Sequence, residues 1–290
     1  MFDKYYQKDI EPFKKKIKEK VNQMYEDDLG SGDVTSSAVI KPMKVKAIVK
    51  TKGDGILAGV FEAQYLLEKL GIEVKKTMKE GDEIKKGDIV MEMEGDAKMI
   101  MQAERTVVNF LGRMSGIATL TNRMVKKSKT KLTATRKTYF AFSDKRAVQI
   151  SKGYTHRLGL FDQYLIKDNH IDIVKSELKC SRIEAIKECL RRAKKHNKDG
   201  KAIEIEVETI EEASAAAKEK PDIIMFDNMK ISEIKKALEQ LKDSGICFEY
   251  SGGITPDNIK EYQDLDVDFI SSGYLTHSCK PLDMSLKVIE

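Results

Sequence analysis

Within residues 135–171, five cationic or potentially cationic side chains stand at or beside the ends of short apolar runs: Arg136, Lys137, His156, Arg157 and Lys167. KLTA precedes the stretch and YLI precedes Lys167, and both read as short strands. Residues at the mouths of successive strands converge when the sheet closes into a barrel. Like charges brought together repel, so such a cluster costs stability unless anions occupy it. The chemistry it points to is binding of a polyanion. The alternative is a basic surface, but surface lysines usually sit among other charges, whereas Lys167 follows three apolar residues.

Two carboxylates, Glu206 in IEIEVE and Asp227 in MFDN, end adjacent predicted strands. Acids facing a basic cluster at a barrel mouth suit Mg²⁺ or a developing cation. A structural salt bridge to Lys167 or Lys137 is the other reading, and the two are compatible. Glu204 shares the strand face with Glu206, which leaves the assignment open between them. Glycine turns follow the last two predicted strands, at Ser251-Gly252-Gly253 and Ser272-Gly273. There backbone N–H groups can approach an anion, and ITPDN is expected to open a helix whose N-terminus favours negative charge. Barrel phosphate sites recur in the loops after strands 7 and 8; ordinary tight turns are the alternative. His156 and Arg157 are adjacent, so both serve one ligand only if a turn intervenes, and Gly153 is expected to supply that freedom. Of the other histidines, His170 is expected at the rim and His196 in solvent, while His277 packs or caps; none has metal-ligand spacing.

The elements positioning these groups follow from periodicity. Residues 9–25 place Ile10, Phe13, Ile17, Val21 and Met24 at helical spacing. EDDLGSGDVTS is a turn ending in a helix cap or strand entry. A strand is predicted at 44–52, a helix at 60–70, and short strands joined by Gly-Asp turns over 78–100. That last segment has the look of a biotinyl-type carrier half-barrel, but without Met-Lys-Met at a hairpin tip it is read as a β-layer of an α/β sandwich. A long helix covers 103–126, thinned at Gly112 and Gly116 where another backbone could pack closely. Arg105 lies in its first turns. After Lys131, strands at 131–136, 164–167, 202–207, 222–226, 246–250 and 267–271 alternate with helices at 143–150, 182–196, 210–218, 232–243 and 256–263. Ser181, Ser232 and Thr255 stand at the expected N-caps. This alternation argues for a β/α barrel or a doubly wound sheet. The barrel is favoured because chemistry-bearing residues follow nearly every strand, where an open sheet concentrates them at one switch point.

The chain has 290 residues, room for one large domain or two ordinary ones, and is 41% hydrophobic. It has no apolar run near the roughly 20 residues that span a bilayer and no signal-peptide pattern, so a cytoplasmic protein is expected. The four cysteines are scattered, indicating neither zinc site nor disulfide framework. The net charge of +5 is mild, and without an aromatic-interleaved basic motif no nucleic-acid partner is expected.

The segments EDDLGSGDVTS, AERTVVNFLGRMSGIATLT, ATRKT, THRLGLFDQYLIKDNHI, IEIEVE, DIIMFDNM, SGGITPDNI and LTHS resemble, in order, the quinolinate phosphoribosyltransferase (carboxylating nicotinate-nucleotide pyrophosphorylase) family. The resemblance implies an N-terminal α/β sandwich (residues 1–114, joined by the tail 279–290) on an incomplete α/β barrel (115–278), in a homodimer or larger assembly. It implies conversion of quinolinate and 5-phosphoribosyl 1-pyrophosphate to nicotinate mononucleotide, pyrophosphate and CO₂, with Mg²⁺. Arg136, Lys137, His156, Arg157 and Lys167 resemble the family's lining for the quinolinate carboxylates and pyrophosphate. Arg105 resembles the arginine that enters the neighbouring subunit's site. Glu206 and Asp227 resemble the acidic pair near ribose and Mg²⁺, with Lys137 and Lys167 beside them at the reacting centre. Ser251, Gly252, Gly253, Ser272 and Gly273 resemble the 5-phosphate cradle. Arg forks suit carboxylates bidentately, in keeping with this reading.

Two departures lie in the central stretch. YFAFSDKRAV is shorter than its family counterpart and lacks the Thr-Pro-Gly turn and a further arginine, and the glycine-rich run before His156 is reduced to SKGYTHR. They leave room for another aromatic acid, or for the molybdenum-transport-associated branch, against which the intact LIKDNH argues. A non-catalytic phosphate-ligand sensor is the rival of another class. Glu206, Asp227 and Lys167 together favour the enzyme, because anion binding gains nothing from two carboxylates.

Overall fold

The computed structural model describes residues 2–289. In chain order the elements are α1 (Asp3–Tyr6), α2 (Lys14–Leu29), α3 (Val34–Val39), β1 (Lys44–Thr51), β2 (Gly55–Ile56), α4 (Val60–Lys69), β3 (Glu73–Thr77), β4 (Glu83–Ile84), β5 (Ile89–Asp96) and α5 (Ala97–Lys127). There follow β6 (Lys131–Thr133), α6 (Phe142–Ile150), β7 (Tyr164–Ile166), α7 (Asp168–Leu178), α8 (Arg182–His196), β8 (Ile203–Val207), α9 (Ile210–Lys218), β9 (Ile223–Asp227), α10 (Ile231–Leu241), β10 (Cys247–Ser251), β11 (Phe269–Ser271), α11 (Tyr274–His277) and β12 (Met284–Ile289). They form two compact units.

One unit comprises the N-terminal residues through Lys8, Met124–Lys137 and Tyr154–Tyr274. Its sheet has six parallel strands in the order β6-β11-β10-β9-β8-β7. Beside β6, Tyr154 forms a parallel bridge to Thr133 and stands where a seventh strand would run. In β9, Ile223, Ile224, Met225 and Phe226 are all buried, so this strand is apolar on both faces as expected in a parallel sheet covered by helices. On the outside, α8 and α9 pack on β7, β8 and β9. The apolar stripe of α8 is Ala185, Ile186, Cys189 and Leu190, and its first turn is closed reciprocally by Ser181 and Glu184. At the base, Tyr6 of α1 is fully buried with Ile223, Cys247 and Phe269, its ring stacked 3.8 Å from that of Phe269.

The other unit comprises Asp9–Arg123, Thr138–Gly153 and the chain from Leu275 onward. An antiparallel sheet in the order β12-β1-β5-β3 forms its β-layer. In β5, Met91 and Met93 point into the core, while Glu92 and Glu94 point out and pair with Lys76 and Lys75 of β3. Ile17 and Val21 of α2 and Leu66 and Leu67 of α4 are buried in this unit. The tail packs along α5 where glycines leave space: Leu282 N–H donates to Gly112 O at 2.8 Å, and a Cβ on Gly116 would lie 2.3 Å from Lys280 O. The close backbone approach expected at Gly112 and Gly116 is made by the chain's own tail.

Several expectations are corrected. The compact units have other limits than the expected 1–114 with 279–290 and 115–278: α5 stays in the sandwich unit to Arg123, while residues through Lys8 belong to the barrel unit. Residues 138–153 join the sandwich unit because Asp144 and Arg146 bind its members. Asp144 accepts bidentately from Arg113, and Arg146 bridges buried Glu62 and Glu80. The helix expected at 256–263 is a turn and a 3₁₀ segment, Ile259–Tyr262. There Asn258 accepts from Thr255 N–H and donates to Gly253 O, side-chain bonds that compete with a helical ladder. Ser232 lies inside α10, whose cap position is Lys230. The residues of α7 and β12, 168–178 and 284–289, carry elements absent from the predicted set.

The shortened YFAFSDKRAV is an ordered loop. Asp144 accepts from the Tyr139 and Phe140 amides, and Arg113 lies over both rings. Ala141 reverses the chain at φ 45°, ψ −107°, outside the left-handed well open to most residues. Ala141→Gly should therefore raise stability by about 1 kcal/mol, the relieved strain exceeding glycine's entropy cost; equal or lower chemical-denaturation stability would contradict this. Gly116→Ala should cost about 2 kcal/mol, since the tail carbonyl must move, read as a fall in thermal midpoint. An unchanged midpoint would mean that the tail does not pin α5.

Candidate active site

All six barrel strands run the same way, so their C-terminal ends open on one side. Arg136 and Lys137 follow β6, Lys167 follows β7, Glu206 lies in the last turn of β8, and Asp227 ends β9. Ser251, Gly252 and Gly253 end and follow β10, and Ser272 and Gly273 follow β11. Every predicted site residue except Arg105 is thus in the barrel unit. Arg105 is exposed on α5, in the other unit.

Arg136 and Lys137 are exposed. Arg157 is buried at 5% exposure, with its Nη1 donating to Gln163 O at 3.3 Å. Burial and then the neighbouring Arg136 lower the pKa of its guanidinium, against the pull of Glu204, Glu206 and Asp162. The charge of Arg136 reaches Arg157, and two arginines that feel one another suit an anion such as a carboxylate or phosphate.

Lys167 forms an ion pair with Glu206, the salt bridge that the sequence offered as the other reading of this carboxylate. Burial raises the Glu206 carboxyl's pKa; Lys167 opposes the rise, and Asp227 and Glu204 add to it. Lys167 is held from behind, because its backbone N–H donates to His170 Nδ1 at 2.9 Å. His170 is therefore a rim residue with a structural task. Asp227 accepts from Asn228 Nδ2 at 3.1 Å, and Asn228, at φ 53°, turns the chain out of β9.

Gly252 sits at φ 136°, and a Cβ there would lie 2.4 Å from Asn228 Oδ1, so this loop admits no side chain at that position. Gly253 is at φ 56°. Ser272 N–H donates to Thr133 O and its Oγ donates to Ile254 O at 2.7 Å, which ties the loops after β6, β10 and β11 together. Ser272 thus holds the cradle from inside, and its buried hydroxyl is committed.

His156 is placed differently from the expectation that it lines the mouth. It is 4% exposed and points into the barrel, with Nε2 3.6 Å from Glu204 Oε1 and 3.5 Å from Glu249 Oε2. The turn that separates it from Arg157 is its own left-handed backbone, φ 54°. Gly153 does not supply that turn: a Cβ there would meet Val148 Cγ1 at 2.6 Å, so glycine serves close packing. Glu249 escaped the sequence reading; its one signal was an acid amid the apolar CFEYS. His196 is engaged by Tyr164 Oη at 2.9 Å, and His277 by Ser278 Oγ at 2.6 Å.

The expected metal pair also differs from a self-sufficient ion site. Among the described residues, His156, Glu204 and Glu249 are the group of three with metal-ligand spacing, and Glu206 with Asp227 lacks a third donor. Two mouth carboxylates, one already paired with Lys167, fit Mg²⁺ in its usual mode, with most of its ligands from phosphate oxygens and water.

This fold recurs in known proteins. A family model described as the quinolinate phosphoribosyl transferase N-terminal domain matches residues 33–115, and one for the C-terminal domain matches 117–287. A probable carboxylating nicotinate-nucleotide pyrophosphorylase of Methanocaldococcus jannaschii is 43% identical over 276 residues, 90% of this chain and 93% of that protein. The Bacillus subtilis protein of the same description is 35% identical, covering 94% and 93%. Among solved structures, NadC from Streptococcus pyogenes superposes with a TM-score of 0.85 at 30% identity over 98% of this chain and 100% of that one. The nicotinate-nucleotide pyrophosphorylase of Francisella tularensis gives 0.83 at 32% identity over 94% and 96%. With both domain models matched in order and the barrel's basic and acidic groups gathered at one end, the chain belongs to the quinolinate phosphoribosyl transferase family.

Proposed function

We propose that the chain carries out its family's reaction at the C-terminal mouth of the barrel, transferring phosphoribose from 5-phosphoribosyl 1-pyrophosphate to quinolinate with loss of CO₂. The observation that carries the residue assignment is the Lys167–Glu206 ion pair at the end of the sheet where Asp227 closes β9 and Arg136 follows β6. Arg136 and Arg157, with Lys137, bind the two carboxylates of the acid, and Arg105 of the partner subunit completes the clamp in a homodimer. Gly252, Gly253 and Gly273 present backbone N–H groups to the 5-phosphate, in loops held by Ser251 and Ser272. His156 acts from behind, within the barrel.

As the bond from C1 of the sugar to the diphosphate oxygen breaks, positive charge grows on the ribose, and Glu206 and Asp227 stabilise it. The pyridine nitrogen forms the new bond to C1. Lys167 and Lys137 hold the departing diphosphate. Glu206 and Asp227 would hold Mg²⁺, which would supply charge neutralisation to the leaving group. The ring carboxylate beside the new bond then leaves as CO₂, and a proton takes its place.

Quinolinate should be turned over with stoichiometric pyrophosphate and CO₂, and nicotinate should not, because the cationic groups exceed what one carboxylate and the phosphates require. In the same assay Asp227→Asn should lower kcat by tenfold or more, about 1.4 kcal/mol of transition-state stabilisation, with a smaller effect on the KM for quinolinate. Comparable use of the two acids, or a KM effect alone, would overturn the assignment.

The shared site has its own test. Arg105→Ala and Lys167→Ala chains, each nearly inactive alone, should regain roughly a quarter of wild-type activity when mixed as exchanging dimers, since half the dimers are mixed and each has one intact site. No recovery with mixed dimers present would place Arg105 in its own chain's site.

A further inference from the structure

In the loop after β10, every carbonyl from Ser251 to Pro256 accepts a hydrogen bond from the protein. Ser251 O accepts from Asn228 N–H at 2.8 Å and Thr255 O from Ile259 N–H at 3.1 Å. Gly252 O accepts from Tyr250 Oη at 3.5 Å and Gly253 O from Asn258 Nδ2 at 2.9 Å. Ile254 O accepts from Ser272 Oγ at 2.7 Å and Pro256 O from Lys127 Nζ at 2.8 Å. The amides behave differently. Among the described residues, the N–H groups of Gly252, Gly253 and Ile254 have no protein acceptor, while the next one, Thr255 N–H, donates to Asn258 Oδ1.

The two observations are linked through the peptide plane. These peptide bonds are trans, so each N–H points away from the carbonyl that shares its plane. Tying down the carbonyls of Ser251, Gly252 and Gly253 therefore turns the next three N–H groups away from everything that holds the loop. Successive N–H groups along a turn form a concavity that attracts anions.

Most of the donors that hold these carbonyls come from the loop itself or from neighbouring strand ends. Lys127 does not. It closes α5, in the part of that helix that belongs to the barrel unit, and reaches a residue 129 positions further along the chain. Among the described residues, Pro256 O is its one protein acceptor, and no carboxylate pairs with it. An ammonium on a carbonyl makes a charge-assisted bond, stronger than the neutral ties around it.

We infer that Lys127 is a positioning residue for the 5-phosphate. Its grip on Pro256 O fixes the outgoing end of the loop, as Asn228 fixes the incoming end at Ser251 O. The N–H groups of Gly252, Gly253 and Ile254 are then set in place before the phosphate arrives, which lowers the ordering cost of binding. Ile254 joins the two glycines as a third amide of the cradle. The inference rests on the reading that this loop takes the 5-phosphate.

Kinetics of the intact enzyme test it. Lys127→Met keeps the aliphatic stem and removes the donor. It should raise the KM for phosphoribosyl pyrophosphate about tenfold, with kcat and the KM for quinolinate changed less than about threefold. Lys127→Arg should return that KM to within about threefold of wild type. The Ki of ribose 5-phosphate, which carries the 5-phosphate alone, should rise with the KM, and the Ki of pyrophosphate should not. A KM for phosphoribosyl pyrophosphate within about twofold of wild type in folded Lys127→Met overturns the positioning role, whatever its thermal midpoint. An equal rise in the quinolinate KM overturns it too. If Lys127→Met does not fold, Lys127→Gln, shorter and neutral, is judged by the same criteria. A rise in the Ki of pyrophosphate in place of that of ribose 5-phosphate overturns the 5-phosphate reading, not the hold of Lys127 on the loop. In the wild-type protein, the ¹⁵N–¹H signals of Gly252, Gly253 and Ile254 should shift on adding ribose 5-phosphate; unmoved signals overturn the cradle.

Discussion

The barrel unit is governed by one electrostatic constraint: charged groups placed on the inward faces of parallel strands must be neutralised where water does not reach. At the mouth, Glu206 meets Lys167, and its side chain keeps 13% exposure. One step deeper along the same strand face, Glu204 has no lysine, and the solution is an imidazole and a second carboxyl from across the barrel. Two glutamates separated by a single residue therefore have different fates because depth changes the cost of charge. The shallow one is available to a substrate, and the deep one holds the scaffold beneath it.

The same constraint explains why the chain's first residues belong to the barrel. A barrel of six strands and one bridged residue leaves its base open, and Tyr6 fills it, stacked on Phe269 and edge-on to His156. Its carbonyl accepts from Thr155 and His156, whose backbone would otherwise have unpaired donors where the seventh strand is missing. Lys8 adds an ion pair to Asp162. In the sandwich unit the tail does comparable work along α5, where glycine lets one backbone lie against another.

The departures from the family pattern have a local physical account. Ala141 stands in a backbone conformation that suits glycine, and the loop is kept in place by Asp144, which binds two amides and Arg113 together. The loop's shape comes from a buried ion pair rather than from turn residues.

Much of the architecture was legible in the sequence. Periodicity gave α8 and α9 at their observed limits and the six parallel strands to within a few residues, because apolar patterning is a property of the chain itself. Alternation of strand and helix alone implies that Lys167, Glu206, Asp227 and the glycine turns share one end, since parallel strands must share a direction. Depth and pairing were not legible. That His156 faces inward, that Glu249 meets it, that Asn258 replaces a helix with a knitted loop, and that Tyr6 plugs the barrel all depend on residues distant in sequence or on side-chain bonds competing with backbone ones. Local pattern carries the type of an element; only the folded barrel unit decides which of its polar residues is left in water and which must find a partner inside.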